Sequence, residues 1–283
     1  LLGNYEGTAS RYTTVLEGIQ DELGQEVRVL YSQGCHLFKD RVENLGKPDD
    51  RLAEAVTVTE LADVTVLVLG LDETLEGEEG DTGNADASGD KLSLLLPEPQ
   101  RKLADAVLAT GKPVILCLMA GSSIDISAIA DRCAGVLLLW YPGAQGGKTA
   151  ADILFGRVSP SGKLPVTFYH NEDLEKMPPF EDYTMKNRTY RYFESPPLYP
   201  FGYGLTYGDV TATAAEKSGE VIRATLCNSG SRDTEEVVQV YVQNEGSTLT
   251  PRNPRLCAFR RVAVPAGQTV SVEPIPDART LLA

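Results

Sequence analysis

Carboxylates are concentrated in one short stretch of this chain. Asp72, Glu73, Glu76, Glu78, Glu79 and Asp81 fall within Leu71–Asp81, and a loop rich in Gly, Asn and Ser then runs on to Ser88-Gly89-Asp90-Lys91. The stretch directly follows Val64–Gly70 (VTVLVLG), a run of β-branched residues and Leu that ends in Gly. If that run is a strand of a parallel sheet, the carboxylates lie beyond its C-terminal end, the edge at which open α/β sheets bind ligands. Three readings fit the residue types. The first is a solvated acidic loop with no chemistry. The second is calcium binding through Asp81, Asn84 and Asp86; position 92, where an EF-hand loop would close with Glu, holds Leu92 and argues against it. The third is general acid/base work. A carboxylic acid beside other carboxylates and closed off from water keeps its proton near neutral pH and can pass it to a leaving oxygen.

Other chemistries lack their residues. Only His36 and His170 are present, too few for a His-based metal site or a convincing triad, and each reads as structural or surface. Cys35, Cys117, Cys133, Cys227 and Cys257 are odd in number and form no C-x-x-C pair, which speaks against a disulfide framework and against zinc. Cys117 sits inside an apolar run and reads as a small buried hydrophobe. A net charge of −14 argues against nucleic acid and anionic membranes as partners, since both select for basic patches. It suits a soluble enzyme acting on a neutral substrate, and equally a bland soluble protein; no cofactor is expected. The longest apolar runs, Val64–Leu71 and Val114–Ala120, stop well short of the roughly 20 residues of a membrane helix. Leu1–Tyr5 has neither the basic start nor the apolar stretch of a signal peptide, and position 1 is not Met. The chain is therefore expected to be a piece of something longer. Its compartment stays open, with the cytoplasm ahead of secretion.

The elements that must position these groups follow a pattern. Val27–Tyr31, Val64–Gly70, Pro113–Met119 and Gly135–Trp140 read as strands, the last three apolar on both faces as in a parallel sheet covered by helices on both sides. Helical spacing predicts helices over Thr13–Leu23, Pro97–Thr110, Ile124–Ala130 and Ala144–Phe155. Strands alternating with helices predict a doubly wound, mostly parallel α/β sandwich over residues 1–156. Residues 157–207, rich in Pro, Tyr and Gly, predict an ordered aromatic connection, with Tyr183, Tyr190, Tyr192, Phe193 and Tyr199 packing it down. From 208 to 283 the short runs Val210–Ala214, Glu220–Cys227, Glu235–Gln243, Leu256–Val264 and Gln268–Glu273 predict an all-β, fibronectin-III-like sandwich whose last strands are incomplete.

The order of motifs resembles the C-terminal half of glycoside hydrolase family 3. Asn4-Tyr5-Glu6-Gly7 and Thr13–Gly18 are similar to the entry into that family's α/β sandwich, and Gly70–Glu78 (GLDETLEGE) resembles its acid/base loop, with Leu94–Gln100 as the helix start that follows. Trp140-Tyr141-Pro142-Gly143, Gly146-Gly147, Ala150–Asp152, Pro160–Thr167 and Tyr199–Tyr207 match further family motifs, the last leading into a fibronectin-III-like domain. The resemblance covers nearly the whole chain. It implies a retaining, exo-acting β-glucosidase or β-xylosidase in which an Asp on a preceding barrel domain attacks the anomeric carbon. A Glu of the α/β sandwich protonates the leaving oxygen and later activates water. The barrel is then the partner of this chain, β-linked glycosides are the substrate, and the isolated chain is expected to be inactive.

Within the acid/base loop the resemblance places Glu76 first, because Glu76-Gly77 followed by Gly80-Asp81 is similar to one family form; Glu78 and Glu79 are the alternatives. Many members continue into an Asp-Arg pair. Here that Asp is either Asp81, before Thr82, or Asp90, before Lys91, and both are candidate sugar-binding carboxylates. Trp140 and Tyr141 could stack on a sugar ring, the alternative being core packing. Asn187-Arg188-Thr189 fits a glycosylation acceptor, and Gly146-Gly147-Lys148-Thr149 has the ending of a phosphate loop but Pro142 where that motif needs Gly. Two rival readings stand beside the enzyme: a non-catalytic carbohydrate-binding or assembly module, and a flavodoxin-like nucleotide-binding domain, disfavoured because no Gly-rich turn after the first strand offers a phosphate cradle.

Overall fold

The computed structural model describes residues 3, 7–78, 90–219, 221–244, 246, 250–274 and 276. The chain divides into two units, Leu1–Asp152 with Tyr169–Asn171, and Ile153–Phe168 with Glu172–Ala283.

The first unit is built on a parallel sheet in the order β1 (Thr65–Gly70), β2 (Val114–Met119), β3 (Gly135–Leu138). Thr65 pairs with Val114 at one end and Gly70 with Met119 at the other, and Ile115 to Leu118 pair with Gly135 to Leu138. The central strand β2 takes both faces into the core: Leu116, Cys117 and Leu118 are buried. Truncating such a leucine to Ala typically costs about 2–5 kcal/mol. Helices α1 (Val15–Leu23), α2 (Leu52–Leu61), α3 (Glu98–Ala109), α4 (Ser127–Ala130) and α5 (Gly146–Leu154) accompany the sheet. Thr14 caps α1, its Oγ1 accepting from the Glu17 N–H at 3.1 Å. Helix α3 carries Pro99 in its first turn, where a missing N–H has no helical partner to lose, and buries Leu103, Ala104 and Val107.

Two elements depart from expectation. Val27–Tyr31 forms no strand; Val27 and Tyr31 are 49% and 64% exposed, so the segment has β-forming residues but no ladder beside it. Helix α2 has a sequence, LAEAVTVTEL, that mixes β-branched residues into helical spacing, and it buries only Ala55 and Thr59. Its weak apolar stripe hid it.

In the second unit the segment 157–207 is ordered by paired backbone and stacked rings. Leu164 N–H donates to the Tyr203 carbonyl and Gly202 N–H to that of Leu164, both at 2.8 Å, and Phe168 pairs with Tyr199. Tyr190, in the short helix α6 (Thr189–Tyr192), stacks on Phe201 at 4.0 Å and meets Tyr241 edge-on. Phe193 is buried, but Tyr183 is 85% exposed and takes no part in the packing expected of it. Asn187 spends its amide locally, donating to the Lys176 carbonyl at 3.0 Å and accepting from Glu194 N–H at 3.1 Å.

The antiparallel strands β4 (Val210–Ser218), β5 (Val221–Asn228), β6 (Thr234–Val242), β7 (Arg255–Val264) and β8 (Thr269–Val272) form sheets β4-β5-β8 and β6-β7. Their core gathers Ala224, Leu226, Val264 and Val272, with Val210, Val238, Val262 and Val270 against it. Buried Asn228 knits the sandwich: its Nδ2 donates to the carbonyls of Arg232 and Val264 at 2.9 Å, and its Oδ1 accepts from the N–H of Asp209 at 3.1 Å and of Gly230 at 3.0 Å.

Candidate active site

The acidic segment begins where β1 stops, and the end of β1 is fixed tightly. A β-carbon on Gly70 would lie 1.8 Å from the Met119 carbonyl oxygen, so only glycine lets β1 and β2 finish side by side. Gln100, buried in the first turn of α3, holds both polar groups of Gly70: its Oε1 accepts from the Gly70 N–H at 2.8 Å, and its Nε2 donates to the Gly70 carbonyl at 2.7 Å. The same Nε2 also donates to the Leu37 carbonyl at 2.7 Å. Asp72 then turns the chain. Its Oδ1 accepts from Thr74 N–H at 3.0 Å and from Thr74 Oγ1 at 2.5 Å, and its carbonyl accepts from the N–H groups of Leu75 at 2.9 Å and Glu76 at 2.8 Å. Leu75 goes into the core, and Glu76 is directed towards the loops that follow the neighbouring strands.

There the Glu76 carboxylate is surrounded by donors. Gly121 N–H, just after β2, donates to Oε2 at 2.8 Å. The Ser122 hydroxyl donates to Oε1, and the Tyr141 hydroxyl, from the loop after β3, donates to Oε2. Lys91 Nζ lies 3.7 Å from Oε1, with the side chains of Lys91 and Glu76 only 17% and 13% exposed. A carboxylate so far removed from water needs such partners. Lys91 also donates to the Ser123 carbonyl at 2.7 Å, which ties the entry to α3 to the loop after β2. Burial lowers the Lys91 pKa, against the opposing pull of Glu76. Burial, then the hydrogen bond and charge of Glu76, raise that of the Tyr141 phenol. Tyr141 is therefore a neutral phenol at physiological pH, able to donate or to accept.

A second set of bonds braces these loops. Asp125 accepts from Asn171 N–H at 2.7 Å and from Ser127 N–H at 2.9 Å. Asn171 Oδ1 accepts from the Ser93 hydroxyl at 2.9 Å and from Leu94 N–H at 2.8 Å.

The structure thus brings Glu76 and Tyr141 together. It does so through the tyrosine hydroxyl, and Trp140 is half-buried. Glu78 and Asp90 are exposed. Glu79, Asp81 and the calcium reading of Asp81, Asn84 and Asp86 lie outside the described residues. Sequence reasoning missed Gly121, Ser122 and Gln100 and saw Lys91 only as the neighbour of Asp90. The available signal was the Gly121-Ser122-Ser123 run, small and polar just past an apolar strand. Gly147 N–H donates to the Thr13 carbonyl at 2.9 Å, so it is not available to a phosphate. Among the described residues no group of three or more His, Cys, Asp or Glu is placed to hold a metal ion, and no helix is long and apolar enough to cross a membrane.

Residues 1–207 match the family model described as glycosyl hydrolase family 3 C-terminal domain, and residues 236–281 match the fibronectin type III-like domain. A xylan 1,4-beta-xylosidase of Xylanibacter ruminicola is 36% identical over 76% of this chain and 26% of its own length. A periplasmic beta-glucosidase of Salmonella typhimurium is 31% identical over 94% of this chain and 38% of its own. The crystal structure of a Bifidobacterium adolescentis GH3 beta-glucosidase superposes with a TM-score of 0.81 at 29% identity, covering 98% of this chain and 41% of that one. The chain thus spans between about a quarter and two-fifths of these relatives.

Proposed function

Because this chain belongs to glycosyl hydrolase family 3, we propose that it is part of a retaining, exo-acting β-glycosidase and that Glu76 is the acid/base of that enzyme. The substrate class is a β-linked glucoside or xyloside, opened from its non-reducing end. The nucleophilic Asp belongs to a barrel domain, in the same polypeptide or in a partner. As that Asp attacks the anomeric carbon, the glycosidic C–O bond breaks and the Glu76 proton goes to the departing oxygen. In the second half, Glu76 takes a proton from the water that attacks the glycosyl–enzyme bond, which frees the Asp. The two carboxyl groups work at a separation of about 5–5.5 Å.

The observation that carries this reading is the set of partners on Glu76, at the carboxyl ends of parallel strands. Ser122 and Tyr141 approach as hydroxyls. A hydroxyl can donate to the ionised carboxylate and accept from the protonated acid, so both states of an acid/base group keep their partners. A second reading rests on Gly121 N–H and Lys91, which can only donate. On that view Glu76 is a fixed anion that latches the loop, and exposed Glu78 transfers the proton.

Single Glu76→Ala and Glu78→Ala variants of the complete enzyme separate the two. Loss of a general acid lowers turnover of glycosides with poor leaving groups by about 10²–10⁴-fold. It largely spares kcat/KM of activated aryl glycosides, and azide restores the turnover lost with the general base. These marks are expected of Glu76→Ala. If they accompany Glu78→Ala instead, Glu76 is the latch. Robust hydrolysis of an aryl β-glycoside by the purified 283-residue chain alone would contradict the placement of the nucleophile.

A further inference from the structure

Tyr141 reaches Glu76 by an unusual route. The sheet order is β1-β2-β3, so a residue after β3 must pass over the loop after β2 to touch one after β1. Two features make the passage. Trp140, immediately before it, has φ of 53°, a left-handed backbone that for a bulky residue persists only where the surroundings enforce it, and such outliers gather at functional sites. Trp140 itself is half-buried. The second is a slot of glycines on the ring's path. A β-carbon on Gly121 would lie 2.7 Å from Tyr141 Cε2, and one on Gly3 would lie 2.5 Å from Cδ2. The ring runs between two places where any side chain would block it, and it ends on a carboxylate oxygen that Gly121 N–H also addresses.

We infer that Tyr141 is a positioning residue for the proton donor: its hydroxyl holds Glu76 Oε2 and turns between donating and accepting as Glu76 loses and regains its proton. The inference rests on Glu76 being the acid/base. The division of labour follows from the donors. Gly121 N–H and Lys91 serve the anion alone, whereas the Tyr141 and Ser122 hydroxyls follow the proton. The raised pKa of the phenol, from burial and then Glu76, keeps its own proton in place through the cycle. A residue with this role touches neither the sugar nor the leaving group. Its loss is felt where proton transfer limits the rate.

The test is Tyr141→Phe in the complete enzyme, with Glu76→Ala as the reference. The ring stays in its slot and only the hydroxyl goes. Turnover of poor-leaving-group glycosides is expected to fall about 10–100-fold, the range for a hydrogen bond to a charged group. The kcat/KM of activated aryl glycosides should fall less than about threefold, since it reports the glycosylation step, in which a good leaving group departs without the acid. An equal fall for both substrates would make Tyr141 a packing residue. A rise in KM for both would make it a sugar contact. Either result overturns the inference if Glu76→Ala keeps its leaving-group dependence. If Glu76→Ala itself lacks that dependence, the assignment of Glu76 fails first.

Discussion

Gln100 and Gly70 exchange hydrogen bonds side chain to backbone, N–H to Oε1 at 2.8 Å and Nε2 to carbonyl at 2.7 Å, much as a neighbouring strand would. The glutamine stands in for the missing edge of the ladder at the point where β1 gives way to the acidic segment. Gln100→Leu keeps the volume but strands buried polar groups on Gly70 and Leu37. Each such group costs about 1–3 kcal/mol, so a loss of about 2–5 kcal/mol is expected in urea unfolding of the first unit. A loss below about 1 kcal/mol would mean that water replaces the side chain.

Gly121→Ala should damage catalysis more than folding. Its β-carbon would meet the Tyr141 ring at 2.7 Å and Glu76 Oε2 at 3.2 Å. The ring must move, and the hydroxyl leaves the carboxylate. In the complete enzyme, kcat for unactivated glycosides is expected to drop at least as far as in Tyr141→Phe, about 10-fold or more, while circular dichroism stays native. Wild-type activity would show that Tyr141 can be displaced without consequence.

Asp125 gives the first unit an acid-sensitive brace. Burial pushes its pKa up, but hydrogen bonds from Ser127 and Asn171, helped by the charge of His170, outweigh burial and hold it below the ordinary 3.8. A carboxyl whose folded pKa is depressed contributes stability above its unfolded pKa and loses it as pH falls through the folded value. Asp125→Asn is therefore expected to be less stable than wild type at pH 7, with the gap closing below about pH 4. Urea midpoints at pH 7, 5, 4 and 3 would measure it, and a gap constant across that series would remove Asp125 from the account.

Cys117 and Cys35 should be unreactive in the folded chain. Cys117 is fully buried in β2, and burial pushes its thiol up to about 12. Burial, then Asp49, pushes Cys35 up to about 11. Only the thiolate alkylates. Pulsed iodoacetamide at pH 8, read by peptide mass spectrometry, should label Cys117 only as fast as the protein unfolds. Labelling as rapid as in urea would contradict its placement.

The apolar runs announced β1, β2 and β3 because a strand buried on both faces leaves a continuous signal in composition. The strands of the second unit were legible from their spacing and turns, to within a few residues at each end. Val27–Tyr31 misled because β-propensity says nothing about whether a partner strand exists. Helix α2 was missed because its β-branched residues mask a weak apolar face. At the site, the carboxylates past the end of β1 stood out as a group, and it was the family resemblance that put Glu76 ahead of Glu78 and Glu79. The partners of Glu76 did not stand out, since Gly121, Ser122 and Tyr141 are brought to it by strand order and backbone conformation, which no local pattern encodes. The positive φ of Trp140 has no sequence signature at all.

The division of the chain has a practical side. Residues Tyr169–Asn171 belong to the first unit although the segments on either side belong to the second. Asn171 supplies hydrogen bonds to Ser93, Leu94 and Asp125. No single peptide-bond cleavage can therefore part the two units cleanly. A protease nick between 157 and 168 would leave Asn171 on the far piece, held in place only by its bonds, and the nicked protein should stay together until denatured. Anyone dissecting the polypeptide by expression would have to carry the α/β half through to residue 171 and accept a stretch of its neighbour.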